Sequence, residues 1–272
     1  MRVVAIHRLS ALALCGLCPW QAWAAEGGPA SPLDDRFALR ASYAHAAVSS
    51  EGRFDSDTGA PGTSFSAEDD LGLDDQVDQG RLELTFRMRD RHRLRVDYFR
   101  LERYGEAVLD RRIDFRNQTF NPGDRVATTL DWRMMGLTYG WSLWKSDDLE
   151  FTVGGGIHLT EAESLAQVEA RGIRERGSAF GVLPTIGVGG SWRIAPRWSL
   201  NGHLQYLEVD IDEASGSFRD FHLDVQYRWK PNVALGLGYS LLGLKAEVSD
   251  ADLPGRLDIE ASGPEAFFRV SF

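Results

Sequence analysis

The chain has 272 residues, with 40 acidic against 30 basic side chains, a formal charge of −10 and 2 cysteines. Nucleic acid rewards a basic face, so an acidic chain is a poor partner for it, and two cysteines do not make a disulfide scaffold. The length accommodates one large β domain or two small ones.

Taken from the start, MRVVAIHRLSALALCGLCPWQAWA reads as a cleaved secretory signal. Arg2, His7 and Arg8 give a basic opening, Leu9 to Leu17 a short apolar core, and Ala22-Trp23-Ala24 a small-x-small cleavage site. The apolar run is shorter than the roughly 20 residues a spanning helix needs. Leu14 and Leu17 precede Cys15 and Cys18, where lipoprotein processing favours a small residue. The expected division is therefore a signal over 1–24 and one domain over 25–272. Losing Arg2 and Arg8 takes the charge from −10 to −12 and leaves no cysteine.

Beyond residue 24 no long apolar run occurs, and the dominant period is two rather than 3.6. In RLELTFRM, Leu82, Leu84, Phe86 and Met88 alternate with Arg81, Glu83, Thr85 and Arg87. In DLEFTVGGGIHL, Leu149, Phe151, Val153, Ile157 and Leu159 oppose Glu150, Thr152, Gly154, Gly156 and His158. DFHLDVQYRW alternates most clearly, with Phe221, Leu223, Val225, Tyr227 and Trp229 against Asp220, His222, Asp224, Gln226 and Arg228. Ten strands follow, over 36–48, 79–89, 93–104, 127–144, 149–160, 178–193, 197–210, 218–229, 233–245 and 258–272, with eight as the alternative. Short turns (89–93, 145–148, 194–197, 230–232) alternate with long loops (49–78, 105–126, 160–177, 211–217, 246–257). An even number of strands with short turns at one end is the layout of an all-β, single antiparallel up-and-down transmembrane barrel. Both chain ends then lie at the short-turn, periplasmic side.

The tryptophans argue separately for a membrane. Trp144, Trp192, Trp198 and Trp229 all sit beside short turns, at one level, where an indole finds an apolar body and a wet N–H. A soluble lipocalin-like barrel would turn these apolar faces inward around a ligand and would give no reason to collect its tryptophans there. The last strand ends on Phe272, and its apolar face carries Ala266, Phe268, Val270 and Phe272.

With these features the chain resembles Gram-negative outer-membrane β-barrels of the small OmpA/OmpW-like class. The face formed by Phe268, Val270 and Phe272 is similar to the terminal signal read by the barrel-assembly machinery. The stretches DDLGLDD, RHRLRVDYFRLERYG and LDRRIDF also resemble a group of bacterial barrel proteins. The resemblance implies an outer-membrane location, contact with outer-membrane lipid and lipopolysaccharide, and insertion by that machinery. It implies no activity and no cofactor.

Five basic and five acidic residues are predicted to point into the lumen: Arg81, Glu83, Arg87, Arg95, Asp97, Asp220, Asp224, Arg228, Glu265 and Arg269. Balanced charge of this kind reads as ion pairs that fill the barrel; the functional alternative is a charged pore constriction. On another wall Gly136, Gly140, Gly154, Gly156, Gly187, Gly189, Gly236 and Gly238 face inward. These leave room either for the arginines or for a narrow, porin-like path for a small solute. Pro184 interrupts the sixth strand and marks a bulge or lateral gap. Arg91, His92 and Arg93 are placed in the first short turn.

The enzyme alternatives need a site at the extracellular rim. Asp220 and His222 lie on one face of a strand, as a carboxylate orienting a general base would, and Asp55 and Asp57 could hold a water. This spacing is similar to the Asp-His and Asp-Asp pairs of omptin proteases. A lipid A-modifying hydrolase would pair a serine or threonine with a histidine, for which His45 near Ser49 and Ser50, and His158 near Thr160 and Ser164, are the candidates. The acidic first loop (Asp55, Asp57, Glu68, Asp69, Asp70, Asp74, Asp75, Asp78) matches no EF-hand spacing and reads as a solvated loop, with no metal expected. The sequence favours a structural or solute-passage barrel without catalysis.

Overall fold

The computed structural model describes residues 33–56, 60–211, 214–248 and 254–272. The predicted signal over residues 1–24 lies outside them. Ten long strands form one closed barrel: β1 (Phe37–Phe54), β2 (Gln76–Arg89), β3 (His92–Val108), β4 (Arg125–Lys145), β5 (Leu149–Val168), β6 (Ile173–Ala195), β7 (Trp198–Ile211), β8 (Ala214–Lys230), β9 (Val233–Val248) and β10 (Gly255–Ser271). Each pairs antiparallel with the next, and β10 returns to β1. The count is ten, not eight. Closure satisfies the two edges that an open sheet would leave as unpaired backbone groups.

The seam runs from Ala38 opposite Ser271 to Phe54 opposite Gly255. Phe272 extends it by one residue: its N–H donates to the Phe37 carbonyl at 2.8 Å, and its own carbonyl accepts from the Arg36 and Phe37 N–H groups at 3.0 Å. A register shift accompanies every short turn, between Arg87 and Arg89, Ser142 and Trp144, Trp198 and Ser199, and Arg228 and Lys230. Bulges bend a strand locally, and here they recur at the short-turn rim. Arg93 belongs to β3, opposite Arg87, rather than to the first turn. Its side chain points inward because it shares parity with Arg95 and Asp97.

At the other end the strands outrun their predicted limits. The expected loop over 160–177 is a continuation of β5 and β6, closed by a single 3-10 turn (Glu169–Arg171) and by Gly172 at φ +63°. Inside the first long loop, Phe65–Ser66 adds a short strand against Glu51 and Gly52. Inside the second, Ile113–Phe115 and Gln118–Phe120 form a small hairpin.

Pro184 faces outward and pairs with Ile157 in unbroken register, so no bulge occurs on the β5 side. On the β7 side the ladder stops at Tyr206 opposite Ile186, two residues short of Pro184. Proline has no N–H to give to that ladder. β6 continues past this point to Ile173 and β7 to Ile211, so the wall divides between them toward the long-loop end.

The outer surface carries an apolar belt. Leu39, Leu82, Leu84, Leu137, Ile157, Val188, Leu223, Leu237 and Phe268 are all exposed, as lipid-facing positions of a spanning barrel must be. Trp144, Trp192, Trp198 and Trp229 are exposed at the short-turn rim. Toward the long-loop end the outward positions become ion pairs: Arg100 and Arg133 both hold Asp131, Arg219 holds Glu260, and Lys245 holds Asp258.

Candidate functional site

The interior has two unlike halves. From the short-turn rim to mid-barrel it is charged. Arg87 donates to both oxygens of Glu150 at 3.0 and 2.9 Å, and Arg93 and Ser142 bond the same carboxylate. Arg228 donates to both oxygens of Asp35 at 3.1 and 2.6 Å, joined by Arg269 at 3.1 Å. Arg40 bridges Asp224, at 2.7 Å, and Glu265, and its guanidinium lies 3.7 Å above the centre of the Phe267 ring. Arg81 binds Asp97 at 3.1 Å and Asp220 at 3.0 and 2.7 Å.

All ten charged residues expected in the lumen therefore point inward. Glu83 and Arg95 stand apart from the close pairs. Arg95 makes no hydrogen bond among the described residues, and its ionic neighbour Asp97 is 3.8 Å away. Four partners lie outside those ten: Asp35, Arg40, Arg93 and Glu150, the last already on the polar side of its strand in the sequence. Arg40 lies on the polar parity of β1, so continuing the alternation through that strand finds it. Asp35 precedes β1 and carries no periodic signal.

The long-loop half of the interior is apolar. Phe99, Leu101, Trp132, Met134, Val126, Val168, Phe218 and Ile259 are fully buried inside the barrel. Trp132 meets the Phe99 ring edge-on at 5.1 Å and donates its Nε1–H to Thr160 Oγ1 at 2.8 Å. Further out, the rings of Phe54, Phe65 and Phe115 pack with centres 4.9–6.0 Å apart, bringing the first and second loops together over the barrel end. Alternation alone could not separate these inward apolar residues from lipid-facing ones.

The glycine wall divides accordingly. A Cβ at Gly136 would stand 2.6 Å from Asp97 Oδ1 and 2.8 Å from His158 Nε2, and one at Gly236 would meet the Phe267 ring at 2.1 Å, so neighbours fill those spaces. Gly140, Gly154, Gly187 and Gly189 line a cavity of about 150 Å³ opposite Arg40, Arg87, Arg93, Arg95 and Arg269, and of these four only at Gly140 would a Cβ meet nothing within 4 Å.

Asp220 and His222 do not lie at the rim. β8 begins six residues before Asp220, a rise of roughly 20 Å at the usual strand spacing, and both side chains are buried. Arg81 Nη1 lies 2.5 Å from His222 Nε2 and 3.0 Å from Asp220 Oδ1. Asp220 Oδ1 is itself 3.1 Å from His222 Nε2, and His222 Nδ1 faces Glu265 Oε1 3.4 Å away, so the imidazole is enclosed by Arg81 and two carboxylates. This arrangement holds charge in place; it does not offer a free base to a substrate. His203 stacks on His222 at 4.6 Å, and these two histidines with Asp220 could in principle bind a metal. Arg81 already supplies the positive charge there.

The other rim candidates disperse. Asp55 accepts from Arg53 at 3.0 Å and from the Gly62 N–H at 2.8 Å, sharing no partner with Asp220. Asp57 lies outside the described residues. His45 points outward to Asp78 and Gln76, whereas Ser50 points inward to Arg103. His158 is buried, and Thr160 beside it is taken by Trp132. The acidic loop is folded rather than merely solvated: Arg103 holds Glu68 and Arg111 holds Asp70, each at 2.6 Å, over buried Leu71 and Leu73.

No family model matches the sequence, and no curated protein matches it. Solved structures do. The outer-membrane protease OmpT from Escherichia coli aligns over 89% of this chain and 98% of its own, at a TM-score of 0.54 and 12% identity. Ail, the attachment invasion locus protein of Yersinia pestis, aligns over 86% and 99% at 0.40 and 9%. Neisserial surface protein A aligns over 87% and 97% at 0.36 and 16%. At this identity the likeness to OmpT concerns the fold. Together with the apolar belt and closed sheet, it makes this chain an integral β-barrel of the outer-membrane type.

Proposed function

We propose that the protein is a structural barrel of the Gram-negative outer membrane, without catalytic activity and without a through-passage for solutes. The apolar filling of the long-loop half carries this reading. A solute or ion crossing there would lose its hydration against Phe99, Trp132, Phe218 and Ile259, which leave no surface to water. Below that layer the buried charges are largely committed to one another, which supports a bracing role for them. The same pairing argues against the enzyme alternatives, since Arg81 occupies the Asp220–His222 pair. Contact with lipopolysaccharide, and insertion through the strand bearing Phe268, Val270 and Phe272, belong to the same proposal.

Planar-bilayer recordings on the purified protein test it. The expected result is a baseline indistinguishable from lipid alone, with no sugar entry in liposome-swelling assays. Discrete conductance steps above that baseline, or sugar entry, would overturn the reading that the barrel has no through-passage.

A further inference from the structure

We propose that the lumen cavity is a binding site for a small zwitterion, an amino acid the size of glycine or alanine, which enters from the short-turn end. A cavity of about 150 Å³ is the size that holds a benzene molecule, or about six heavy atoms. Charged and polar side chains on one side face glycine backbone on the other, and an apolar occupant would leave those charges without partners.

The charges around it are not all committed. Arg40, Arg87, Arg93 and Arg269 line the cavity, and each is bonded to a carboxylate. Arg95 and Glu83 also line it. Arg95 makes no hydrogen bond among the described residues. Glu83 has no ion-pair partner among the described residues and accepts only from Thr85 Oγ1, at 3.4 Å. They stand diagonally across the β2–β3 pair, because Glu83 is opposite Asp97 and Arg95 is opposite Thr85. One cation that makes no hydrogen bond among the described residues and one carboxylate with no ion-pair partner within 4 Å, both lining one space, fit a ligand that carries both signs.

Neutral groups add to this. His203 and Gln205 also line the cavity, and His203 Nε2, 4.0 Å from Asp220 Oδ2, and Gln205 Oε1 have no hydrogen-bond partner among the described residues. Gln205 is fixed by its own Nε2 donating to Thr138 Oγ1 at 2.6 Å. Buried polar atoms without partners are costly, and their convergence on one space favours an occupant that can hydrogen-bond. An anion alone would leave Glu83 and Asp224 facing it unfavourably. A cation alone would face Arg95. Access is from one end: Arg93 and Arg269 keep 22% and 19% of their side-chain surface exposed at the short-turn side, while the apolar layer closes the other.

Gly140 supplies a clean test, since it lines the cavity and a Cβ there would meet nothing within 4 Å. Gly140→Leu occupies the space from the wall opposite the arginines and leaves Arg95 and Glu83 themselves unchanged. Saturation-transfer NMR on detergent-solubilised protein at pH 7 would titrate glycine, acetate and methylammonium. Wild-type protein is expected to bind glycine at least tenfold more tightly than either half-ligand. Gly140→Leu should lose glycine while keeping its heat-modifiable gel migration, and Glu83→Gln should lose the preference for glycine over acetate. Absence of glycine binding would mean that water alone fills the cavity and would overturn the proposal. So would acetate binding as tightly as glycine in the wild type, or unchanged binding in Gly140→Leu. If Glu83→Gln fails to fold, the Gly140→Leu and half-ligand results decide.

Discussion

Arg87 on β2 and Glu150 on β5 meet through two hydrogen bonds of 3.0 and 2.9 Å although two strands separate them in the wall. The pair therefore braces the lumen across a chord rather than along the sheet. Arg93 shares the same carboxylate, so the two partners are not equivalent. Removing Glu150 leaves the buried Arg87 with only the Asp90 carbonyl, at 2.7 Å, and takes the carboxylate from half-buried Arg93, whereas removing Arg87 leaves Glu150 paired with Arg93. Glu150→Gln should lower unfolding stability by about 3–5 kcal/mol, and Arg87→Gln by clearly less. Urea titration in lipid vesicles, followed by tryptophan fluorescence, measures both; equal losses would contradict the shared-carboxylate geometry.

Leu237 on β9 is 70% exposed and lies in the middle of the apolar belt, paired with Val225 and Ala266. Lys245, on the same outward parity of the same strand, already sits among ion pairs with Asp258 at 2.6 Å. The belt thus ends between these two positions. Leu237→Arg should cost about 2–4 kcal/mol and Lys245→Arg close to nothing. Reversible unfolding from vesicles would show this, and a similar cost at both sites would mean that the lipid boundary lies elsewhere.

The fold was legible because lipid enforces strict alternation on the spanning part of each strand, and the segments around Leu82, Phe151 and Leu223 display it. Legibility ended where lipid ends. Beyond the belt β5 and β6 continue with Glu161, Glu163, Arg174 and Arg176 outward. The apolar signal fades there although hydrogen bonding does not, and the strands read as loop. The inward apolar layer around Phe99 and Trp132 was hidden for a related reason, since a buried face and a lipid face are both apolar. In the charged half the residue types and their parity were plain in the sequence. Partners were not: Arg81 with Asp220 and Arg40 with Glu265 are fixed by barrel closure, which brings together residues 139 and 225 positions apart. The depth of Asp220 and His222 was misjudged with the end of β8, because the strand begins at Ala214 in a polar stretch.

Trp132 contributes both bulk and one hydrogen bond to the closing layer, and the two are separable. Trp132→Phe keeps the ring against Phe99 and leaves Thr160 Oγ1 without its donor at 2.8 Å, which should cost about 1 kcal/mol. Trp132→Ala also opens a cavity beside Phe99 in the buried apolar layer and should cost about 3–5 kcal/mol. Urea unfolding of the two variants gives both figures. A Trp132→Ala loss no larger than that of Trp132→Phe would show that the layer is not packed around this ring.

Outside the membrane, hydrogen bonds from Arg111 hold the Asp70 carboxyl below its ordinary value, and those from Arg112 do the same for Asp114. A carboxyl depressed in the folded state stabilises at pH values above its unfolded pKa, about 3.9 for aspartate, and loses that contribution as pH falls through the folded value. The contact between the two loops should therefore be intact from neutral pH down to about 4 and loosen below it. The barrel wall, held by its backbone ladder, should not respond. Hydrogen exchange measured from pH 6 to pH 3 and corrected for intrinsic rates would report this as faster exchange at Leu73, whose N–H donates to the Ala67 carbonyl at 3.0 Å. Arg111→Gln should show the fast behaviour already at pH 6. Loops that exchange identically across this range in the wild type would show that Asp70–Arg111 does not fasten them.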